Sequence, residues 1–156
     1  MEHLVYCDAK ANVLQKLLDG TKTTIIRGAA GRMCPHGRVF EGETLYFVEN
    51  TGDGLIKAKA TVASVFNSEK MTEEESKELV ASKQSELNLS PAQMKRWAGK
   101  KVLCLIGVKD VEKLQEPLVY DRKKNMDDWI IIEKIDYILV GSDYDYKNVT
   151  LKDVNK

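Results

Sequence analysis

The sequence predicts an α+β fold, a small mixed β-barrel with helices inserted between its strands. Three observations predict it. Short runs rich in β-branched and aromatic residues, bounded by Gly, Asn and Asp, outnumber the helical stretches. Two consecutive helices, each opened by its own capping box, interrupt the strands in the middle of the chain. After them comes Val102-Leu103-Cys104-Leu105-Ile106-Gly107-Val108, an unbroken apolar run suited to a central strand.

In chain order, Leu4, Val5, Tyr6 and Cys7 form a first strand, and Asp8 caps the helix that follows. That helix spans residues 12–19, with Val13, Leu14, Leu17 and Leu18 on one buried face. Gly20 falls where a helix ends in positive φ. Residues 23–26 are short and mostly β-branched, a buried strand with Lys22 and Arg27 at its two ends. Residues 28–38 are a long loop holding Gly28, Gly31, Pro35 and Gly37. Residues 42–49 read as turn then strand, and 50–54 as a turn cluster. In 55–66, Ile56, Ala58, Ala60 and Val62 alternate with Lys57, Lys59 and Thr61, the second arm of a hairpin. The small alanines on its inner face leave room for a closely packed neighbour.

Thr72 and Glu75 make one capping box for a helix reaching about residue 85. Ser90 and Gln93 make the next, with Pro91 at the first helical position and Gly99 as the stop. Residues 112–128 are charged and broken at Pro117. Trp129-Ile130-Ile131-Ile132 is the last firm strand, and 137–140 read as a further short one. The organisation is therefore a single domain over residues 1–142 and a polar C-terminal tail over 143–156.

At 156 residues the chain is long enough for an independent core. Lys and Arg number 24, as do Asp and Glu, so only an uneven distribution of charge could commit it to a charged partner. The distribution is uneven. Residues 22–39 contain no acid but hold Lys22, Arg27, Arg32 and Arg38; residues 87–109 contain no acid but hold Lys95, Arg96, Lys100, Lys101 and Lys109. Cys7, Cys34 and Cys104 show no C-x-x-C spacing, and Cys34 and His36 have no second pair at ligand distance. No apolar stretch approaches a membrane span, and the N-terminus lacks the pattern of a signal peptide. The expectation is a reduced, cytoplasmic protein with no membrane partner, cofactor or metal.

Gly20, Lys22 and Arg27 resemble the opening of the ASCH domains, in the PUA-like superfamily of small β-barrels, whose pattern reads G-x-K-x-x-E-x-R. Ile25 stands here where that pattern has Glu. The order of elements is compatible through about Ile132, and Asn50-Thr51-Gly52 and the chain from Pro117 also resemble a set of short archaeal proteins of that superfamily.

The resemblance implies that the inserted helices and the strand opening at Lys100 and Lys101 border the same cleft as Gly20–Arg27. Two acid-free windows would then face one guest, with the acids kept elsewhere. The preferred reading is an RNA- or nucleotide-binding PUA-like module that recognises a nucleotide or modified base. Lys22, Arg27 and Lys101 would be its floor contacts, Arg32 and Arg38 would close from the loop, and Gly20 and Lys100 are counted among the binding residues. Trp97, between Arg96 and Lys100, is either a base-stacking platform or a core anchor for its helix. Four or more neutralised phosphates would give a log–log salt slope of about −3 or steeper.

The alternative is a small amidohydrolase acting on a modified nucleoside such as N4-acetylcytidine, as in one ASCH subgroup. Lys22 matches that subgroup's lysine. Its Thr nucleophile falls on Ile25, with Thr24 one residue away, and its acid falls on Leu87, with Glu86 one residue away; both roles are displaced. Ribonuclease activity, also ascribed to ASCH-like proteins, would rest on His36. A third class is a protein-interaction module presenting the acidic helix of Glu73, Glu74, Glu75 and Glu78.

Overall fold

The computed structural model describes residues 1–121 and 127–140. Its strands are β1 (Glu2–Cys7), β2 (Thr24–Ala29), β3 (Thr44–Glu49), β4 (Leu55–Asn67), β5 (Val102–Val119) and β6 (Trp129–Ile132). Its helices are α1 (Val13–Leu18), α2 (Glu73–Ser82), α3 (Gln84–Leu87) and α4 (Pro91–Trp97), and a 3₁₀ turn covers Ile135–Ile138. The strands make one curled half-barrel sheet in the order β2-β5-β4-β3-β1-β6.

The curl has a local cause. The β4–β5 ladder shifts register between Ile56 and Ala58, Lys59 and Thr61, and Val62 and Ser64, and Asp110 adopts a φ of 53°. Each such bulge bends its strand and strengthens its twist. β1 pairs with β3 in parallel, the intervening α1 and β2 supplying the long connection such a pair requires.

Alternation along β2 divides the interior into two compartments. Ile25 faces the barrel core with Leu14 and Leu17 of α1, Phe47, Ala58, Ala60 and Trp129. Ile26 faces outward, where Leu103 and Leu105 receive Val80, Leu87, Leu89 and Trp97 from the inserted helices. Ala58 and Ala60 are small because α1 lies against that face. Both capping boxes form: Thr72 Oγ1 accepts from Glu75 N–H at 3.1 Å, and Ser90 Oγ from Gln93 N–H at 3.2 Å.

Four expectations change. Asn12, in the left-handed conformation, precedes α1, and Asp8 instead accepts from the N–H groups of Lys10 and Ala11 one turn earlier. α2 ends at Ser82, and Lys83 begins the separate short α3. β5 continues eleven residues beyond Val108 because β4 pairs with it as far as Val119, and it accommodates Pro117 because β2 stops pairing at Gly107. In place of a strand over 137–140 there is the 3₁₀ turn and a single bridge between Tyr120 and Leu139. Among the described residues no helix is long and apolar enough to cross a membrane. The tail assigned to 143–156 lies outside the described residues.

Candidate nucleotide cleft at the barrel seam

β2 and β6 are the two ends of the sheet, and among the described residues no ladder joins them. Arg27 crosses the gap. Its Nη2 donates to the carbonyl of Tyr6 in β1 at 2.7 Å, and its Nη1 to its neighbour Ile26 at 2.9 Å. The guanidinium carbon stands 5.5 Å from the ring centre of Trp129 in β6 and 6.0 Å from that of Trp97 in α4. Nε lies 3.1 Å from Asp128 Oδ2, yet out of line for a hydrogen bond, so that contact is Coulombic only. A planar fork reaching two carbonyls and two indoles is a task for arginine rather than lysine.

Lys22 reaches its place through the turn after α1. Gly20 takes a φ of +80°, and Thr21 is held by Asp19, which accepts from its hydroxyl at 2.6 Å and its N–H at 3.0 Å. The chain then runs beside the end of α3, with Thr23 N–H donating to Glu86 O at 2.9 Å. The ammonium of Lys22 is buried at 2% exposure and donates to the carbonyl of Leu87; Lys16 Nζ takes the next carbonyl, of Asn88, at 3.0 Å. Two lysines thus satisfy the orphan carbonyls at a helix C-terminus, where cations are favoured. Burial pushes the Lys22 ammonium down to about 8, and repulsion from Lys16 and Arg27 adds to it.

Two cavities open on either side of Arg27. The larger, about 480 Å³, is bounded by Gly28, Ala29, Gly31, Met33, Cys34 and His36 from the β2 end and its loop, and by Lys100, Val102 and Cys104 from β5 and its approach. The smaller, about 230 Å³, has Val5, Cys7, Val13, Ile25 and Ile26 as apolar walls and Tyr6, Asp8, Lys22, Asn50 and Gln93 as polar points. Arg27, Arg96, Trp97 and Asp128 line both. Among the described residues no cluster of His, Cys, Asp and Glu is placed to hold a metal. Burial pushes the Cys7, Cys34 and Cys104 thiols up to about 12, so all three stay protonated at neutral pH.

The two acid-free windows therefore meet, through Arg27, Arg96, Trp97 and Lys100. Other expected contacts lie elsewhere. Lys101 lines neither cavity; it lies in the bend before β5, where its carbonyl accepts from Met71 N–H at 2.8 Å. Arg32 is exposed and paired with Glu69 at 3.0 Å, and Arg38 also lines neither cavity. Gly20 serves the turn only. Trp97 is a core anchor, 6% exposed among the inserted helices, and it also lines both cavities. His36 borders the larger cavity with its Nε2 committed to Ser68 O at 2.9 Å.

For the amidohydrolase set, Lys22 lines the smaller cavity, but Thr24 lines neither, and the exposed Glu86 carboxylate accepts from Ser85 at 2.8 Å. Its backbone, not its carboxylate, touches the Lys22 segment.

Sequence reasoning missed three features. Acids do enter the cleft, since Asp127 and Asp128 line the larger cavity. They come from the stretch before β6, far from either window in sequence. The adjacency of Arg96 and Trp97 is visible in the sequence, but not that the guanidinium lies over the ring and lines both cavities. His3 is wholly buried, accepting from Trp129 Nε1–H at Nδ1 (3.0 Å) and meeting Glu43 Oε1 through Nε2 (3.0 Å).

No family model matches the sequence, and no curated protein matches it. Among solved structures, the ASCH protein of Zymomonas mobilis is similar at a TM-score of 0.56 and 12% identity, over 74% of this chain and 71% of that one. A point variant of the same protein gives 0.57 and 12%, over 76% of this chain and 75% of that one. The likeness at this identity concerns the backbone: the chain has the fold of that ASCH protein.

Proposed function

We propose that the seam cleft binds a nucleotide or modified base of single-stranded RNA, with the base in the smaller cavity and the sugar-phosphate along the larger. The observation that carries this reading is the partition itself. One compartment is narrow and apolar-walled with a few polar points; the other is wide and faced by Lys100, Gly28, Ala29 and Gly31; Arg27, Arg96 and Trp97 form their common border.

The polar points suit base edges. Asn50 Oδ1 accepts from Ala9 N–H at 2.9 Å and Gln93 Oε1 from Ser90 N–H at 3.2 Å, which leaves their amide N–H groups to donate. Asp8 supplies an acceptor. Bases of single strands are read in this manner, by edge hydrogen bonds and stacking, with cations tracking the backbone. Among the described residues neither Arg96 nor Lys100 is paired with a carboxylate.

The test is fluorescence anisotropy with labelled single-stranded RNA of mixed sequence, against the same sequence as a duplex. The expected result is salt-sensitive binding to the single strand that Lys100→Glu weakens about tenfold, or about 1.4 kcal/mol, with a salt slope shallower by about 1. Salt-independent binding that Lys100→Glu leaves intact would remove the proposal.

A further inference from the structure

Arg96, directly before Trp97 in α4, does not share that residue's place in the helical core, yet its geometry is specific. Its guanidinium carbon lies over the Trp97 ring, 4.3 Å from its centre, well inside the reach of a cation–π contact. Arg96 is exposed, and it borders both cavities. Trp97 is held still from behind by the helical core, so the guanidinium rests on a rigid backing.

Two guanidinium groups stand over the indole, Arg96 at 4.3 Å and Arg27 at 6.0 Å from its centre. A base entering the cleft does not find a bare indole. It finds the outer face of a flat, delocalised cation already desolvated on its inner side.

We propose that Arg96, stacked on Trp97, is the platform on which the cleft's nucleobase lies, the indole acting only as its backing. The inference rests on the reading of the cleft as a nucleotide site and adds the residue that grips the base face. A guanidinium plane stacks on any base, so this contact selects for the presence of a planar ring rather than for its identity. Identity would be left to Asn50, Gln93 and Asp8 at the ring's edge. Freezing a long side chain in advance lowers the entropy lost on binding, which is what a preformed stack provides.

Arg96→Lys separates plane from charge. The probes are a six-nucleotide RNA and a fully abasic ribose-phosphate hexamer, titrated by anisotropy into wild type, Arg96→Lys and Arg96→Ala; thermal midpoints confirm folding of these surface variants. Arg96→Lys should weaken the intact RNA about five- to tenfold, within the range measured for losing one base stack. The abasic hexamer, which needs only the charge, should keep its affinity to within about twofold. Arg96→Ala should weaken both.

Equal loss on both probes for Arg96→Lys, or no loss on either, overturns the platform. Wild type binding the two hexamers equally overturns it as well, while leaving a backbone-binding cleft in place. Wild type binding neither removes the nucleotide reading and the platform together.

Discussion

Arg27 Nη2 donates across 2.7 Å to the main-chain carbonyl of Tyr6, so one side chain fastens the β2 end of the sheet to the strand beside its other end. Lysine has one donor head and no plane, and cannot meet both carbonyls and both indoles. Arg27→Lys should cost about 1–2 kcal/mol and Arg27→Ala roughly 2–4 kcal/mol, the range for losing hydrogen bonds to a charged donor in a mostly buried place. Urea denaturation measures both; a silent Arg27→Ala would mean that the seam is held by something else.

Lys22 gives an alkaline signature. Its folded value is depressed to about 8 by burial, whereas the unfolded side chain titrates near 10.5. Between those values the unfolded chain holds the extra proton, so this group's contribution to stability rises with pH through that window. The three thiols act in the opposite sense, since they stay protonated to about 12 in the fold and ionise earlier when unfolded. Comparison with Lys22→Met cancels the thiols. The stability of wild type relative to Lys22→Met should grow by up to roughly 3 kcal/mol between pH 8 and 10.5. A difference that stays constant over that window would show an ordinary, solvated lysine.

His3 gives an acid signature. Trp129 Nε1 can only donate, so His3 Nδ1 must accept, and the imidazole is neutral with its proton on Nε2, given to Glu43. Burial lowers its pKa below 6.5, with Glu43 opposing. As pH falls through 6.5 the unfolded histidine gains a proton that the folded one refuses, and stability is lost. Nitrogen-15 NMR of the imidazole should show the Nε2–H form still present at pH 6; an imidazolium spectrum there would contradict the burial.

Gly28 forms part of the larger cavity where the backbone passes close to β5. A Cβ placed there would meet Leu103 Cδ2 at 2.6 Å and the Val102 carbonyl at 3.1 Å. Gly28→Ala should therefore cost about 1–3 kcal/mol, as overpacking does, read as a shift in denaturation midpoint. Gly31 has open space around its own site, so Gly31→Ala is the matched control and should be nearly silent.

Salt dependence of RNA binding should be shallower than the two charged windows suggested. Arg32 is spent on Glu69, Lys101 and Arg38 line neither cavity, and Asp127 and Asp128 offset part of what remains. Two to three phosphates neutralised by the charges of Arg96, Lys100 and Arg27 correspond to a log–log slope of about −1.5 to −2 on a single strand. A slope of −3 or steeper would mean that more of the surface joins the contact.

Much of the architecture was legible because it is written in local chemistry. Thr72 with Glu75, Ser90 with Gln93, and the positive φ of Gly20 and Gly99 each mark a helix end with a hydrogen bond or a missing Cβ. β5 was legible only as far as its apolar half; beyond Val108 its charged residues follow from having one neighbour instead of two. Lys22 shows the limit for the site. Its placement at a strand end was plain, but its burial against the Leu87 carbonyl depends on a helix more than sixty residues later. The arrival of Asp127 and Asp128 depends on β6 pairing with β1, which no spacing in the chain announces.

Arg27 serves the architecture and the hollow with the same atoms. Natural variation at that position would be punished twice, once in folding and once in recognition, so drift in guest preference is expected to run through Arg96, Lys100 and Asn50. A lineage exploring new guests would keep the clasp and change the furniture around it.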